Sequence, residues 1–261
     1  NNEFNDSEDS IAVIGSGNFT SSVILPSLKK TKLNIKYLIS SNGLSSTILS
    51  KKYKIPITST DVDKVLNDDK IKGVIISTRH DSHADLVIKC LNANKNVFVE
   101  KPLCLNRDEL DLIKKALTNS NSTIVVGFNR RFSPYSKKIK SMIGDTKSPK
   151  NIVANINAGY IPYDHWVHDL KLGGGRIIGE ACHFIDLISF FVNSDINKVS
   201  MVSMGNELKK NTDNVSISLK YNNGSLGVIN YFSNGNKSYS KERFEIFYDE
   251  KNLILDNFRR L

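Results

Sequence analysis

The chain has 261 residues, of which 39% are hydrophobic and 24% are charged, with 15 Gly and 6 Pro. This composition excludes a collagen, a coiled coil and a wholly disordered chain, and the length allows one large or two modest domains. No apolar run reaches the roughly 18 residues of a membrane span and no signal peptide opens the chain, so we predict a soluble, cytoplasmic protein. The chain begins with Asn, and its polar, acidic first ten residues are typical of a linker or a trimmed end of a longer polypeptide.

The charge balance is basic, because 36 Lys and Arg exceed 27 Asp and Glu and give a net charge of +9. The lysines occur in scattered pairs, and no block of five or six like charges or basic stretch with interleaved aromatics is found. This distribution favours a protein that attracts an anionic ligand over a nucleic-acid binder, which would show salt-dependent binding. The three cysteines, Cys90, Cys104 and Cys182, form no CxxC, so we expect free thiols and neither a disulfide framework nor a metal site.

The first half of the chain alternates short strands with helices. The strands are continuous apolar runs, as expected when both faces of a sheet are covered, and this favours a parallel, doubly wound sheet. Pro26 is expected to kink the first helix. The predicted strands are 11–15, 35–40, 73–77, 96–100 and 122–127, and the predicted helices are 19–30, 45–53, 83–92 and 108–117.

The pattern changes after about residue 128. Strands that are partly joined by turn signals, such as Asn222-Asn223-Gly224, now dominate, and only two helices interrupt them. We therefore predict two domains: 1–128, built on the parallel, doubly wound sheet, and 129–261, an α+β domain built on an antiparallel sheet. The predicted strands of the second domain are 151–160, 198–203, 214–221, 225–232, 243–248 and 252–255, and the helices are 134–142 and 176–191.

A glycine-rich turn, GSGNFT, follows the first strand and opens a helix. The first glycine permits a tight turn, the second lets the backbone approach a pyrophosphate, and free amides lie at the positive end of the helix. This context favours a dinucleotide site over an ordinary strand-to-helix turn. Thr20 stands where a third Gly or Ala is usual, so we expect looser packing of the helix on the strand. The predicted cofactor residues here are Gly15, Ser16, Gly17, Asn18 and Phe19.

The second strand ends in Ser40 and Ser41, where an NAD-type fold would place a carboxylate. Hydroxyls there could accept a ribose hydroxyl or a 2′-phosphate, and Lys51 and Lys52 are close in sequence. The missing carboxylate removes the repulsion against a phosphate. We therefore expect NAD or NADP as cofactor and favour NADP.

Two further segments carry candidate catalytic groups. Lys101, in Glu100-Lys101-Pro102, follows a buried strand at the edge where open α/β sheets bind ligands, and the alternative is a solvated loop lysine. In the second segment three glycines lead into a helix with Glu180, His183 and Asp186 at i, i+3 and i+6, so that one helical face presents acid, imidazole and acid. A carboxylate-held histidine is a general base near neutral pH, whereas the alternative is a satisfied core histidine.

Together GSGNFT, EKP, GFNRRF (127–132) and GGGRIIGEACHFIDL (173–187) resemble the Gfo/Idh/MocA oxidoreductases over nearly the whole chain. The resemblance implies hydride transfer between NAD(P) and a carbinol of a sugar, nucleotide sugar or cyclitol, with Lys101 polarising the oxygen and His183 accepting its proton. It also implies a Rossmann domain followed by a domain with an open antiparallel sheet, through which dimers or tetramers form. The residues implied near the nicotinamide ribose are Ser77, Thr78, His80 and His83. Further implied cofactor residues are Glu100 and Lys101, and the residues implied near the substrate are Arg131, Tyr160, Trp166 and His183.

The chain also departs from the family pattern. The usual Asp four residues before the histidine is Gly179 here, and Glu180 is the only local substitute, displaced by about 100° around an α-helix. This departure motivates an alternative function, a non-catalytic NAD(P)-binding sensor. The segment 159–166 and the Gly-Glu form of the helix motif look most like a branch fused to a zinc-type alcohol dehydrogenase domain, in proteins of surface polysaccharide metabolism. The family usually continues beyond the position of Leu261, so we expect the second domain to be incomplete.

Overall fold

The computed structural model describes residues 9–206 and 212–261, so the first eight residues of the predicted linker lie outside the described part. The chain divides between Gly127 and Phe128 into two compact units, one residue from the predicted boundary. In the described residues no helix is long and apolar enough to cross a membrane.

The first unit is a six-stranded parallel sheet with helices between its strands. The strand order is β3-β2-β1-β4-β5-β6, and all neighbouring strands are parallel. The order reverses between β1 and β4. Sheets of this kind bind ligands in the crevice at the carboxyl ends of the two strands where the order reverses. The strands are β1 (Ser10–Ile14), β2 (Ile35–Ile39), β3 (Ile57–Ser59), β4 (Ile71–Ile76), β5 (Asn96–Val99) and β6 (Ile124–Val126). The helices are α1 (Leu25–Leu28), α2 (Gly43–Tyr53), α3 (Asp63–Leu66), α4 (His83–Asn92) and α5 (Arg107–Thr118).

The packing of β1 shows why its sequence is apolar without alternation. Ala12 and Ile14 face the core on one side of the sheet, while Val13 faces a second core on the other side. Both faces are buried, as predicted. The sequence did not reveal β3 and α3, because three and four residues carry too little periodic signal.

The predicted helix 19–30 is not one α-helix. It starts with a π-helical turn, Thr20–Ile24, in which the N–H of Leu25 donates to the carbonyl of Thr20, and then continues as α1. Pro26 lies in the first turn of α1, where its missing N–H leaves no α-helical bond unmade. The expected irregularity at Pro26 therefore takes the form of a change of helix type.

The second unit packs two long helices on one face of a six-stranded sheet of order β12-β11-β7-β10-β9-β8. The elements are α6 (Pro134–Ile143), β7 (Asn151–Asn157), α7 (Cys182–Val192), β8 (Ile196–Ser203), β9 (Val215–Tyr221), β10 (Leu226–Phe232), β11 (Glu242–Tyr248) and β12 (Lys251–Asp256). The core between helices and sheet includes Phe184, Leu187 and Phe191 of α7.

The prediction of a purely antiparallel sheet is wrong at one pair of strands. β7 and β10 are parallel, from the pair Asn151 and Leu226 to the pair Asn157 and Phe232, whereas the other neighbouring strands are antiparallel. Alternating burial shows that a strand has one buried face but carries no information about the direction of its neighbour. The sheet is therefore mixed.

Candidate functional site

The turn after β1 contains two glycines, and a different physical reason accounts for glycine at each position. Gly15 has a φ of 111°, and a Cβ there would lie 2.6 Å from the carbonyl oxygen of Ser77, so the close approach of β1 and β4 requires glycine. A Cβ on Gly17 would meet no protein atom within 4 Å. The fold therefore does not require glycine at position 17, whereas a ligand phosphate at this helix start would.

Thr20 occupies the position at which looser packing was expected. The residue is completely buried, and its Oγ1 lies 2.7 Å from the Oγ of Ser77 in a hydrogen bond. The start of the helix is thus attached to the end of β4 by hydroxyl groups instead of by close glycine packing. Ser77 contributes to this attachment through the same hydroxyl that was predicted to lie near the ribose.

The end of β2 places its two serines in different surroundings. The Oγ of Ser40 donates to the carbonyl of Asn42 at 2.5 Å and accepts from the N–H of Asn42, so this buried hydroxyl holds the loop before α2. Ser41 is exposed. The Oγ of Ser16 lies 2.5 Å from that of Ser45 on α2, which joins the glycine turn to the same loop.

His83 joins the loops that follow β4 and β5. It is fully buried, with Nδ1 at 2.7 Å from the carbonyl oxygen of Pro102 and Nε2 at 3.2 Å from that of Thr78. Burial lowers the pKa of His83. The ring of His80 lies beside it, with centroids 5.9 Å apart. Because Pro102 follows Lys101 directly, this contact fixes the backbone that carries the candidate lysine.

Glu100 lies at the same edge of the sheet, and its carboxylate is next to Gly127, which follows β6. A Cβ on Gly127 would lie 2.8 Å from Oε1 of Glu100, so a larger residue at position 127 would displace this carboxylate from its present position. Burial raises the pKa of Glu100, and the backbone N–H and the charge of Lys101 oppose this shift only in part. A half-buried acid and a half-buried lysine are therefore adjacent at the carboxyl end of β5.

In the second unit, His183 lies in the first turn of α7 and is 7% exposed. Its ring meets the edge of Phe128 at a centroid distance of 6.2 Å. The residues before it, Ile177–Ala181, form a π-helical turn and not the predicted α-helix. The i, i+3, i+6 spacing assumed 3.6 residues per turn, and the wider π turn rotates Glu180 relative to α7.

Glu180 and Asp186 have separate partners. The carboxylate of Glu180 accepts from Nη2 of Arg176 at 2.9 Å and from the hydroxyl of Tyr231. Burial raises the pKa of Glu180, but these two partners outweigh it and hold the pKa below its usual value. Asp186 accepts two hydrogen bonds from Arg131. The roles of Glu180 in catalysis and of Arg131 in substrate binding stay predictions, and both charged groups are engaged within the unit.

The predicted substrate aromatics lie on the surface of the second unit. Tyr160 is 65% exposed, and its ring meets that of Tyr163 at 6.3 Å. Trp166, the only tryptophan of the chain, is half-buried in the turn Trp166–His168. Gly173 is required next to this turn, because a Cβ there would lie 2.5 Å from Cα of Val167.

The sequence analysis missed four buried polar residues behind this surface: His168, Arg176, Asp213 and Tyr231. One local signal was available, since Arg176 and Glu180 have the i, i+4 spacing of a helical ion pair. Asp213 and Tyr231 come from distant strand ends. No local pattern could reveal them.

We expect Glu180→Gln to lower the free energy of unfolding by about 2 kcal/mol at neutral pH, because Arg176 loses a charged partner. The pKa of Glu180 is lower in the folded chain, so its stabilisation is present above the ordinary glutamate pKa and is lost as pH falls through the lowered value. The difference from wild type in urea unfolding should therefore shrink in acid. The control Glu245→Gln removes the partner of Arg243, whose side chain is 32% exposed whereas that of Arg176 is 1% exposed, and it should cost under ~1 kcal/mol. A Glu180→Gln difference that is independent of pH would contradict this assignment.

Comparisons with known proteins cover both units. A family described as "Oxidoreductase family, NAD-binding Rossmann fold" matches residues 10–128, and the "GFO/IDH/MocA C-terminal domain" matches residues 144–254. Both matches describe the oxidoreductase portion, so the predicted branch with a fused zinc-type alcohol dehydrogenase domain stays a prediction.

Individual relatives agree with these matches. The chain is 27% identical to myo-inositol 2-dehydrogenase of Thermotoga maritima over 207 residues, which are 76% of this chain and 60% of that protein. It is 31% identical to scyllo-inositol 2-dehydrogenase (NAD(+)) of Bacillus subtilis over 145 residues, 54% of this chain and 41% of that protein. The structure of levoglucosan dehydrogenase with NADH matches with a TM-score of 0.83 and 20% identity over 96% of this chain and 74% of that chain, which establishes the fold. The chain spans less than two thirds of the length of both curated relatives.

Proposed function

Because the chain belongs to the Gfo/Idh/MocA oxidoreductase family, we propose that it transfers a hydride between a nicotinamide dinucleotide and a carbinol of a cyclitol, sugar or nucleotide sugar. The observation that carries the cofactor assignment is the space beside Gly17, where a Cβ would meet no protein atom within 4 Å. At this helix start the backbone leaves room for phosphate oxygens, and the neighbouring Gly15 is fixed by packing alone. The names of the two inositol dehydrogenase relatives support a polyol as the substrate class.

We assign the cofactor residues by the surroundings that each has in the first unit. The amides of Asn18 and Phe19 would bind the pyrophosphate beside Gly15, Ser16 and Gly17, and Thr78 and His80 lie after β4 at the edge assigned to the nicotinamide ribose. His83 and Ser77 are engaged by Thr78, Pro102 and Thr20, so we assign them to holding this edge in shape. Glu100 shapes the same edge from β5.

Two side chains are assigned to the reaction. Lys101 donates a hydrogen bond to the substrate hydroxyl oxygen, and His183 accepts the proton of that hydroxyl. When bound, the oxidised nicotinamide supplies the hydride acceptor. The work of the protein is to orient the carbinol and to stabilise charge on its oxygen as the proton leaves.

The residues at the end of β2 support a preference for NADP over NAD. No carboxylate lies there, Ser41 is exposed, and Lys51 lies in the exposed last turn of α2. We therefore predict that NADPH binds at least as tightly as NADH. A fluorescence titration of the protein with both reduced nucleotides at one salt concentration measures this. NADH binding that is tighter by about tenfold or more would contradict the preference, and a lack of binding by either nucleotide, in protein shown to carry none, would contradict the family function.

A panel of cyclitols, sugars and nucleotide sugars, with formation of reduced nicotinamide as the readout, tests the reaction itself. Turnover on one member supports the dehydrogenase. Saturable cofactor binding without turnover on any member would favour the non-catalytic sensor, which the glycine at position 179 motivates.

We also infer a homo-oligomer formed through the face of the second sheet that α6 and α7 leave uncovered. This face carries apolar side chains on four strands, and its centre is a hydrogen-bonded ladder of Ser216, Asn230 and Asn155. The apolar residues are Val153, Leu226, Val228, Phe232, Phe247 and Ile254. The mass of the protein in solution, by light scattering, tests this inference.

A further inference from the structure

We propose that Arg176 is a positioning residue that closes the chain segment 158–176 and thereby fixes the aromatic surface that meets the substrate. Segment 158–176 joins the end of β7 to the π-helical turn before α7, and it carries Tyr160 and Trp166. The part of this inference that concerns the substrate rests on the proposed function. The part that concerns the segment does not.

Arg176 joins the two ends of the segment directly. Its Nη1 donates to the carbonyl of Gly159 at 2.7 Å, and its Nη2 donates to the carbonyl of Ala158 at 3.2 Å. The side chain is 1% exposed. One planar guanidinium therefore satisfies two successive carbonyls at the start of the segment while its own backbone lies at the end.

The buried charge of Arg176 is compensated on its other side. Glu180 accepts from Nη2 at 2.9 Å, and Asp213 lies 3.5 Å from Nη1 at the start of β9. The hydroxyl of Tyr231 donates to Glu180, and the guanidinium lies over the ring of Tyr231 at 5.5 Å. A fork with this many partners cannot be replaced by the point charge of lysine without losing bonds.

The interior of the segment packs on itself. The carbonyl of Asp169 accepts from the N–H groups of Gly173 at 2.8 Å and Gly174 at 3.0 Å, and its carboxylate accepts from those of Lys171 and Leu172. Nδ1 of His168 lies 3.7 Å from Oδ1 of Asp213, which also faces Arg176. Trp166 is thereby connected to Arg176, because His168 of the same turn and Arg176 both face Asp213. A compact loop whose ends are held together moves as one body.

The surface held in this way is aromatic. Tyr160 and Tyr163 are exposed and meet edge to face, and the rings of His165 and Trp166 lie 5.7 Å apart. Aromatic faces give a sugar or cyclitol ring a large contact area at a low entropy cost when they are already fixed. The hydrogen bonds and ion pairs of Arg176 described above go to other groups, so we expect its effect on a substrate to act through the position of the segment.

Arg176→Lys tests the inference, because it keeps the charge and removes the fork. The first readout is acrylamide quenching of Trp166, the only tryptophan, in variants shown to be folded by circular dichroism. We expect the quenching constant to rise about twofold as the segment opens. The second readout is steady-state kinetics on the polyol that the panel identifies. We expect KM to rise about tenfold with kcat within about threefold and cofactor affinity unchanged.

Arg130→Lys is the matched control. Arg130 makes an equally planar, two-point ion pair with Glu242 at 2.9 and 2.5 Å, and these bonds do not involve segment 158–176. This variant should lose thermal stability while its quenching constant and KM stay at the wild-type values. The Gly159→Ala variant alters the backbone that receives Arg176, at a φ of 74°, and should reproduce the rise in quenching.

The outcomes separate the two parts of the inference. Unchanged quenching in folded Arg176→Lys would overturn the closing role, whatever the activity. Equal quenching changes in Arg176→Lys and Arg130→Lys would show a general loss of stability and would also overturn it. Increased quenching with unchanged KM would overturn the link to substrate. If wild type turns over no polyol, the proposed function fails, and the quenching comparison still decides whether Arg176 closes the segment.

Discussion

Replacing Lys101 with alanine is expected to lower kcat by about 10² or more, because the substrate oxygen loses its cationic hydrogen-bond donor during proton transfer. The affinity for the reduced nucleotide should stay within about twofold of wild type, since the pyrophosphate cradle lies at the turn after β1, which β4 separates from β5 in the sheet. The contact of His83 with the Pro102 carbonyl at 2.7 Å holds the backbone at this position independently of the lysine side chain. The fold at the carboxyl end of β5 should therefore survive the change.

Measurement of kcat, KM and nucleotide Kd on the same preparation checks this prediction. Lys89→Ala is the control, because Lys89 is an exposed residue of α4 that pairs with Asp85 at 2.8 Å in an i, i+4 ion pair. It should match wild type in all three constants. Turnover of Lys101→Ala at the wild-type rate would remove Lys101 from the reaction.

Gly17→Val is expected to weaken nucleotide binding by about 100-fold or more, close to 2.7 kcal/mol, while the protein stays folded. A Cβ on Gly17 would meet no protein atom within 4 Å, so the protein itself has room for a side chain to begin there. The same side chain would occupy the volume that phosphate oxygens need at the start of the helix.

Gly15→Ala is expected to lower the stability of the protein, whereas Gly17→Val is expected to lower its affinity for the nucleotide. A Cβ at Gly15 would lie 2.6 Å from the Ser77 carbonyl oxygen, at a backbone φ of 111°, so the loss should be one of stability, about 2 kcal/mol or more. Thermal unfolding and nucleotide titration of both variants separate the two effects. Normal nucleotide affinity in folded Gly17→Val would show that the turn is not the cofactor cradle.

Much of the fold could be predicted from hydrophobic patterning. Continuous apolar runs such as residues 11–14 of β1 identify strands covered on both faces, and the alternation of strands with helices implies a parallel sheet. Two features resisted this reasoning for physical reasons. The direction of β10 relative to β7 depends on the path of the intervening chain. The π-helical turn Ile177–Ala181 has the residue composition of an ordinary helix, so its different register has no signature in the sequence.

The candidate site also contains residues that the sequence could indicate and contacts that it could not. The sequence identifies Gly17 and Lys101 as candidates because chemistry at such positions depends on a local context of strand, turn and helix, and their roles stay predictions. The contacts of Arg131 with Asp186 and of Glu180 with Tyr231 could not be predicted, because these residues meet only through tertiary packing. Thr20 illustrates the same limit on a smaller scale, since its hydroxyl bonds to Ser77, 57 residues away.

The central claim, hydride transfer from a polyol carbinol, is tested most directly by isotope transfer. The protein is incubated with the oxidised nucleotide it binds and a polyol deuterated at the carbinol carbon, and the mass of the reduced nicotinamide is measured. We predict that one deuterium appears in the nicotinamide with wild type and that Lys101→Ala slows its appearance by about 10² or more. Bound nucleotide that remains oxidised with every polyol tested would contradict the claim.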